Sequence, residues 1–186
     1  NIIWNLKRHD ILEIILSVSY LAQNFRDYYG NGSQFGVQIT YVEEKTPAGT
    51  GGALKNCSNF LDDYFILING DTIFDVNYHD LVITFPKGKL GHIALNFVED
   101  SGRYGEVQTN GIEITSFREK TVSKPGFINS GVAIYDKKIL DFIPLNNSSL
   151  EKDIFPKLLK KRLLSAKKYN SFFLDIGIPE SLEDAQ

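Results

Sequence analysis

The chain has 186 residues, 42% hydrophobic and 23% charged, an ordinary balance for one soluble domain with a sizeable core. Its formal net charge of −3 argues against a nucleic-acid partner, whose binding surface is usually basic, but not against a phosphate-bearing ligand, which needs only a few local cations and N–H groups. One cysteine, Cys57, excludes an internal disulfide and fits a reducing cytoplasm, and no signal peptide or apolar run long enough for a membrane is visible.

The chain opens without Met inside an amphipathic pattern, with Ile2, Ile3 and Leu6 at helical spacing, so a preceding segment is expected. Glu13 to Ser19 predicts a buried strand, Asn31-Gly32 and Gly36 a loop, and Val37 to Val42 an alternating strand. A polar, Gly-rich loop from Glu43 to Gly52 leads into a helix over Ala53 to Leu61. Cys57 on that helix reads as a small buried hydrophobe rather than a nucleophile. Tyr64 to Ile68 is an apolar run suited to a central parallel strand and stops at Asn69-Gly70-Asp71. His92 to Val98 predicts another strand, and Gly105 to Phe117 strand-like chain with a turn at Asn110-Gly111. A strand follows over Gly131 to Tyr135, then a helix capped by Ser148 and Glu151 and ending near Leu164. Ser171 to Leu174 closes as a strand, and Pro179 suits the first turn of a short last helix. Strands and helices alternate in the first half, as in a doubly wound α/β sheet. Strand order is not legible.

Asp71 follows an apolar strand through a polar residue and a glycine, and ligands of open α/β sheets bind at the carboxyl ends of strands. Its carboxylate either projects into that crevice or caps a turn. Asp175 is a lone carboxylate among apolar residues; it needs a cation, hydrogen bonds or an exposed edge, or it caps the Pro179 helix. Together the two could supply the protein ligands of one Mg²⁺. Pro47 to Lys55 is Gly-rich before a helix, but matches neither a Walker loop nor GxGxxG, so a structural turn competes with a ligand loop. Phe117-Arg118-Glu119-Lys120 could place a carboxylate on sugar hydroxyls and an ammonium on a phosphate, or form a surface ion pair. Asn129 could read a hydroxyl or close a turn, and Arg103-Tyr104-Gly105 could be a ligand-facing turn or a plain loop. His9, His79 and His92 show no ligand spacing, and neither a zinc pattern nor a nucleophile elbow is present.

The order of these motifs is more specific than any one of them. Gly49-Thr50-Gly51-Gly52-Ala53, Asn69-Gly70-Asp71, Arg103-Tyr104-Gly105, Phe117-Arg118-Glu119-Lys120, Ile128-Asn129-Ser130-Gly131 and Asp175-Ile176-Gly177-Ile178-Pro179 together resemble the sugar-1-phosphate nucleotidyltransferases over nearly the whole chain. Within that family the series looks most like the D-glycero-D-manno-heptose 1-phosphate guanylyltransferases, with mannose-1-phosphate guanylyltransferases and glucose-1-phosphate thymidylyltransferases as near relatives. The resemblance implies an α/β, Rossmann-like fold whose mixed, mainly parallel sheet is flanked by helices. It implies a nucleoside triphosphate, GTP in the first instance, and a sugar 1-phosphate as partners. Asp71 and Asp175 would be the catalytic metal ligands for Mg²⁺. Gly49, Thr50, Gly51 and Asn69 would bind the nucleotide, and Gly105, Glu119, Lys120 and Asn129 the sugar phosphate. The nucleotide-sugar product would feed lipopolysaccharide or capsule synthesis.

The sequence departs from the family at its start. A single domain over 1–186 is expected to lack the first strand, the Gly-rich loop with its arginine, and the following Pro-Lys-Pro segment. A reading of another class is a non-catalytic, nucleotide-sugar-binding regulatory subunit; a dinucleotide- or carbohydrate-binding domain would leave the two aspartates unexplained. Tyr28, Tyr29 and Phe35 could form an exposed aromatic patch, which leaves a homo-oligomer open.

Overall fold

The structure is a computed structural model and describes residues 2–118 and 124–177. The helix expected at Pro179 lies outside the described residues. Two compact units emerge, one within Asn1–Asp63 and Lys138–Pro156, the other within Tyr64–Lys137 and Lys157–Gln186.

In the first unit, α1 (Ile2–Arg8) precedes a strand–helix–strand element of β1 (Glu13–Val18), α2 (Ala22–Tyr29) and β2 (Gln38–Glu43). β1 and β2 pair in parallel, Glu13 opposite Gln38 and Val18 opposite Glu43, as a helical crossover allows. Ile14, Val18, Val37, Ile39 and Leu54 are buried. Tyr28, Tyr29 and Phe35 do meet, but mostly pack on one another: Tyr28 and Tyr29 are edge-on at 4.7 Å, Tyr29 and Phe35 tilted at 5.5 Å, and only Tyr28 is largely exposed.

The helix expected from Ala53 begins earlier, as α3 (Gly49–Asn56). Its first turn is pinned by the backbone of Ser148, whose carbonyl accepts from Gly51 N at 2.8 Å and whose N–H donates to Ala48 O at 2.9 Å. Glycine is required for that approach, since a Cβ on Gly51 would lie 2.6 Å from Ser148 Oγ. Cys57, just past α3, is buried, and burial pushes its thiol up. Ser148 does not cap the next helix; Ser149 does, its Oγ accepting from Lys152 N at 3.2 Å while Asp153 accepts from Ser149 N at 2.7 Å. The π-helical turn Leu150–Ile154 runs into α5 (Phe155–Lys160). α5 ends short of the expected Leu164: Arg162 takes a left-handed φ of 55°, and Leu163 N turns back to Leu158 O at 2.9 Å.

The second unit is built on a mixed six-stranded sheet in the order β3-β8-β5-β9-β7-β6. Its strands are β3 (Tyr64–Ile68), β5 (Gly91–Val98), β6 (Val107–Asn110), β7 (Glu113–Phe117), β8 (Gly126–Asp136) and β9 (Leu164–Tyr169). β8 runs against both β3 and β5, while β5 and β9 are parallel. β3, β5, β9 and β6 therefore share one direction, interrupted by β8 and β7. Ile93, Leu95, Ile128, Val132 and Leu164 form its buried centre. α4 (Tyr78–Ile83), started by Asn77 Oδ1 accepting from Asp80 N at 3.0 Å, contacts β8. A separate antiparallel pair joins β4 (Thr72–Phe74) to β10 (Phe173–Asp175). The expected strand at Gly131 is the second half of β8, which starts at Gly126 and bulges between the two halves. Opposite the step from Ile93 to Leu95, β8 runs from Ala133 to Asn129, and Ser130 Oγ donates to Ala94 O at 2.8 Å inside the bulge.

Candidate active site

The bulge and the end of β3 meet. Asn69, one residue past β3, donates its N–H to Gly131 O at 2.8 Å. Gly131 has φ of +74°, and a Cβ there would sit 2.7 Å from Asn69 Nδ2. Asn129 Oδ1 accepts from Gly131 N at 3.1 Å. Both predicted asparagines are thus gathered around one glycine, Asn69 exposed and Asn129 half-buried.

The β4–β10 pair carries the two aspartates to each other. Asp175 lies opposite Thr72 in the register, and Ile176 N donates to Asp71 O at 2.8 Å. Asp71 Oδ2 and Asp175 Oδ1 each lie 3.0 Å from the point that a Cβ on Gly177 would occupy, so the two oxygens are separated by no more than twice that distance. The space between them is open only because residue 177 is glycine. Asp175 is held from two sides: Oδ1 accepts from Gly177 N at 2.9 Å, and Oδ2 pairs with Arg103 Nη2 at 3.1 Å. Asp71 is exposed, and no side-chain partner for it is seen among the described residues.

This donor set suits a hard cation. Two carboxylate oxygens face a cradle that a side chain would fill, and a magnesium ion takes one or two carboxylates and completes its shell with phosphate and water. Among the described residues no group of three or more His, Cys, Asp or Glu side chains gathers for a metal, so an all-protein cage is not on offer there.

Gly105 closes the turn that carries Arg103. Ser101 O accepts from both Tyr104 N and Gly105 N at 3.0 Å, and Gly105 has φ of +86°. The Arg103 guanidinium also lies over the Tyr104 ring at 5.4 Å, and that ring meets Phe173 edge-on at 5.5 Å. Next in the chain, Glu106 pairs with Lys124 at 2.8 Å and Arg118 at 3.5 Å, and its hydrogen bond to Lys124 holds its carboxyl below the usual range. Glu119 and Lys120 lie outside the described residues.

Gly49, Thr50 and Gly51 belong to the first unit. The Thr50 hydroxyl accepts from Leu150 N at 2.8 Å and donates to Glu151 at 3.0 Å, so its one proton and an acceptor position are used within the fold. The loop's remaining offer to a ligand is backbone.

Arg103 and Glu151 escaped the sequence reading of the site. In the sequence Arg103 is only part of a turn, and its partner lies 72 positions away; the Thr50–Glu151 contact spans 101. No local pattern encodes either contact. His92 is buried and structural: Ser165 Oγ donates to Gly91 O at 3.2 Å and accepts from His92 Nδ1 at 2.8 Å.

Similar proteins carry the same arrangement of chain. A D-glycero-alpha-D-manno-heptose 1-phosphate guanylyltransferase from Campylobacter jejuni is 34% identical, over 94% of this chain and 78% of its own. Its namesake from Aneurinibacillus thermoaerophilus is 35% identical, over 100% and 81%. The crystal structure of HddC from Yersinia pseudotuberculosis complexed with GMP-PN superposes with a TM-score of 0.87 at 32% identity, covering 97% of this chain and 80% of that one. A putative glucose-1-phosphate thymidylyltransferase from Bacillus anthracis, in complex with a sucrose, reaches 0.86 at 26% identity, covering 98% and 78%. The nucleotidyl transferase family description matches residues 1–186. With a mixed sheet whose strand β3 leads into Asn69-Gly70-Asp71, and matches that run the length of the chain, this protein belongs to the nucleotidyl transferase family.

Proposed function

We propose that the chain is a guanylyltransferase that joins GTP to D-glycero-D-manno-heptose 1-phosphate, giving a GDP-heptose and pyrophosphate. The observation that carries the reading is the cradle at Gly177, where Asp71 and Asp175 present one oxygen each to a shared space. In this reaction a phosphate oxygen of the sugar 1-phosphate attacks the α-phosphorus in line. The bond from that oxygen to phosphorus forms as the bond to the pyrophosphate oxygen breaks. No side chain needs to form a covalent intermediate.

Asp71 and Asp175 would hold Mg²⁺, which when bound supplies charge neutralisation for the phosphate oxygens. Asn69 and Asn129, clustered at Gly131, would orient nucleotide and sugar by their amides. Gly105 would let the sugar approach the backbone. Glu119 and Lys120 are assigned to the sugar phosphate by the motif alone, and Gly49, Thr50 and Gly51 to the base. Guanine is favoured by the relatives: besides the heptose enzymes they include a mannose-1-phosphate guanyltransferase from Xenopus laevis, 34% identical over 94% of this chain and 51% of its own.

No helix among the described residues is long and apolar enough to cross a membrane. A cytoplasmic setting, with the product passed to lipopolysaccharide or capsule synthesis, accords with the lone cysteine.

The test is pyrophosphate release with Mg²⁺, each of the four ribonucleoside triphosphates and dTTP, against heptose, mannose and glucose 1-phosphates. The expected pair is GTP with the heptose 1-phosphate. Release with another pair would reassign base or sugar within the family. Binding of nucleotide-sugar with no release from any pair would favour a non-catalytic subunit.

A further inference from the structure

Two carboxylates that share a space repel each other, and a positive charge beside them offsets that repulsion. The structure supplies one. Arg103 Nη2 lies 3.1 Å from Asp175 Oδ2, while the other oxygen, Oδ1, is the one at the Gly177 cradle. The guanidinium is steadied by the Tyr104 ring, which rests on Phe173 of the strand that carries Asp175. Asp71 has no comparable cation among the described residues. We propose that Arg103 is a positioning residue that acts as the stand-in cation of the pair: it neutralises and orients Asp175 in the substrate-free protein, and a divalent cation entering between Asp71 and Asp175 competes with its charge. The inference rests on the proposed metal role of those two aspartates.

The two effects of Arg103 on a metal have opposite signs. Orientation of Asp175 favours binding, but Gly177 N–H orients that carboxylate independently at 2.9 Å. The positive charge opposes binding of a dication, and that opposition is lost when the charge is removed. Charge therefore decides the sign, and a substitution that removes it should tighten metal binding to the nucleotide-free protein.

The experiment is Mn²⁺ binding to the full chain without nucleotide, followed by electron paramagnetic resonance of the free ion. Arg103→Gln is expected to bind Mn²⁺ roughly tenfold more tightly than the unsubstituted chain, the scale of one unit charge near a dication at a half-exposed site. Arg103→Lys, which keeps the charge, should stay within about twofold. In an Asp175→Asn background the gain from Arg103→Gln should vanish. A role in folding alone would instead weaken Mn²⁺ binding or leave it unchanged in Arg103→Gln, and either result overturns the proposal. Asp71→Asn separates the two readings. If it abolishes Mn²⁺ binding while Arg103→Gln gains nothing, the metal site stands and the stand-in role fails. If it binds Mn²⁺ like the unsubstituted chain, the metal site fails and the proposal with it.

Discussion

Gly177 sits where a side chain would enter the space between Asp71 and Asp175, with both carboxylate oxygens 3.0 Å from its missing Cβ. We expect Gly177→Ala to raise the Mg²⁺ concentration needed for half-maximal rate by roughly tenfold while the melting temperature moves by no more than about 2 °C, because the residue is exposed and the change adds one methyl. Steady-state rates across a Mg²⁺ series, with a thermal melt alongside, check both halves. Asp71→Asn keeps the shape and removes one charge. Its turnover should fall roughly a hundredfold or more, as loss of an interaction worth several kcal/mol requires. A near-normal rate would show that Asp71 serves only as a turn residue.

At the scale of elements, α3 and the π-helical turn are held together through close backbone approach. Gly51→Ala would push a methyl to 2.6 Å from the buried Ser148 Oγ and 3.1 Å from its carbonyl oxygen. A cost of about 1–3 kcal/mol is expected from such overpacking, read as a lower urea midpoint at unchanged slope. Arg162 is the converse case. It ends α5 in a left-handed conformation at φ 55°, with a largely exposed side chain and only a 3.8 Å ion pair to Glu113. Arg162→Gly should stabilise the fold by about 0.5–1 kcal/mol by removing the Cβ strain at the position where glycine is preferred. The strand after it, β9, was invisible in the sequence. Leu164 to Tyr169 includes an Ala and two Lys and continues a helical pattern, yet its pairing with β5 buries Leu164, Ser165 and Ala166 completely or nearly so. Tertiary burial overrode local preference there. The Asn110-Gly111 hairpin was legible because turn chemistry is a local signal. The unbroken apolar run marked Tyr64–Ile68 as a strand but not its place: expected central and parallel, it stands at the end of the sheet order and runs antiparallel to β8, because pairing partners are not a local property.

For the whole molecule, stability should depend on pH through His92. Burial, reinforced by the nearby Lys167 charge and opposed by Asp80, lowers its pKa to about 4 from an ordinary 6.5. The unfolded chain therefore takes up a proton that the folded one refuses between those values. The contribution is intact above pH 6.5 and is lost as pH falls toward 4, on the order of 3 kcal/mol in all. Melting temperatures from pH 7 to pH 4 should fall along that window, and His92→Gln should flatten the slope. What residue type and order determine alone is considerable: the α/β class, the end of the Tyr64–Ile68 strand before Asn69, and the family. These follow from short-range chemistry, since glycine, an apolar run and a carboxylate at a strand end carry their meaning locally. The tertiary structure decided the rest. It reversed β8 between β3 and β5, bulged it so that Asn129 and Asn69 both bond the backbone of Gly131, and paired β4 with β10 so that two aspartates far apart in the chain share one glycine-lined space. It also set Arg103 on Asp175. Each of these depends on register between distant strands, which is fixed by burial of whole faces and not by any window of sequence.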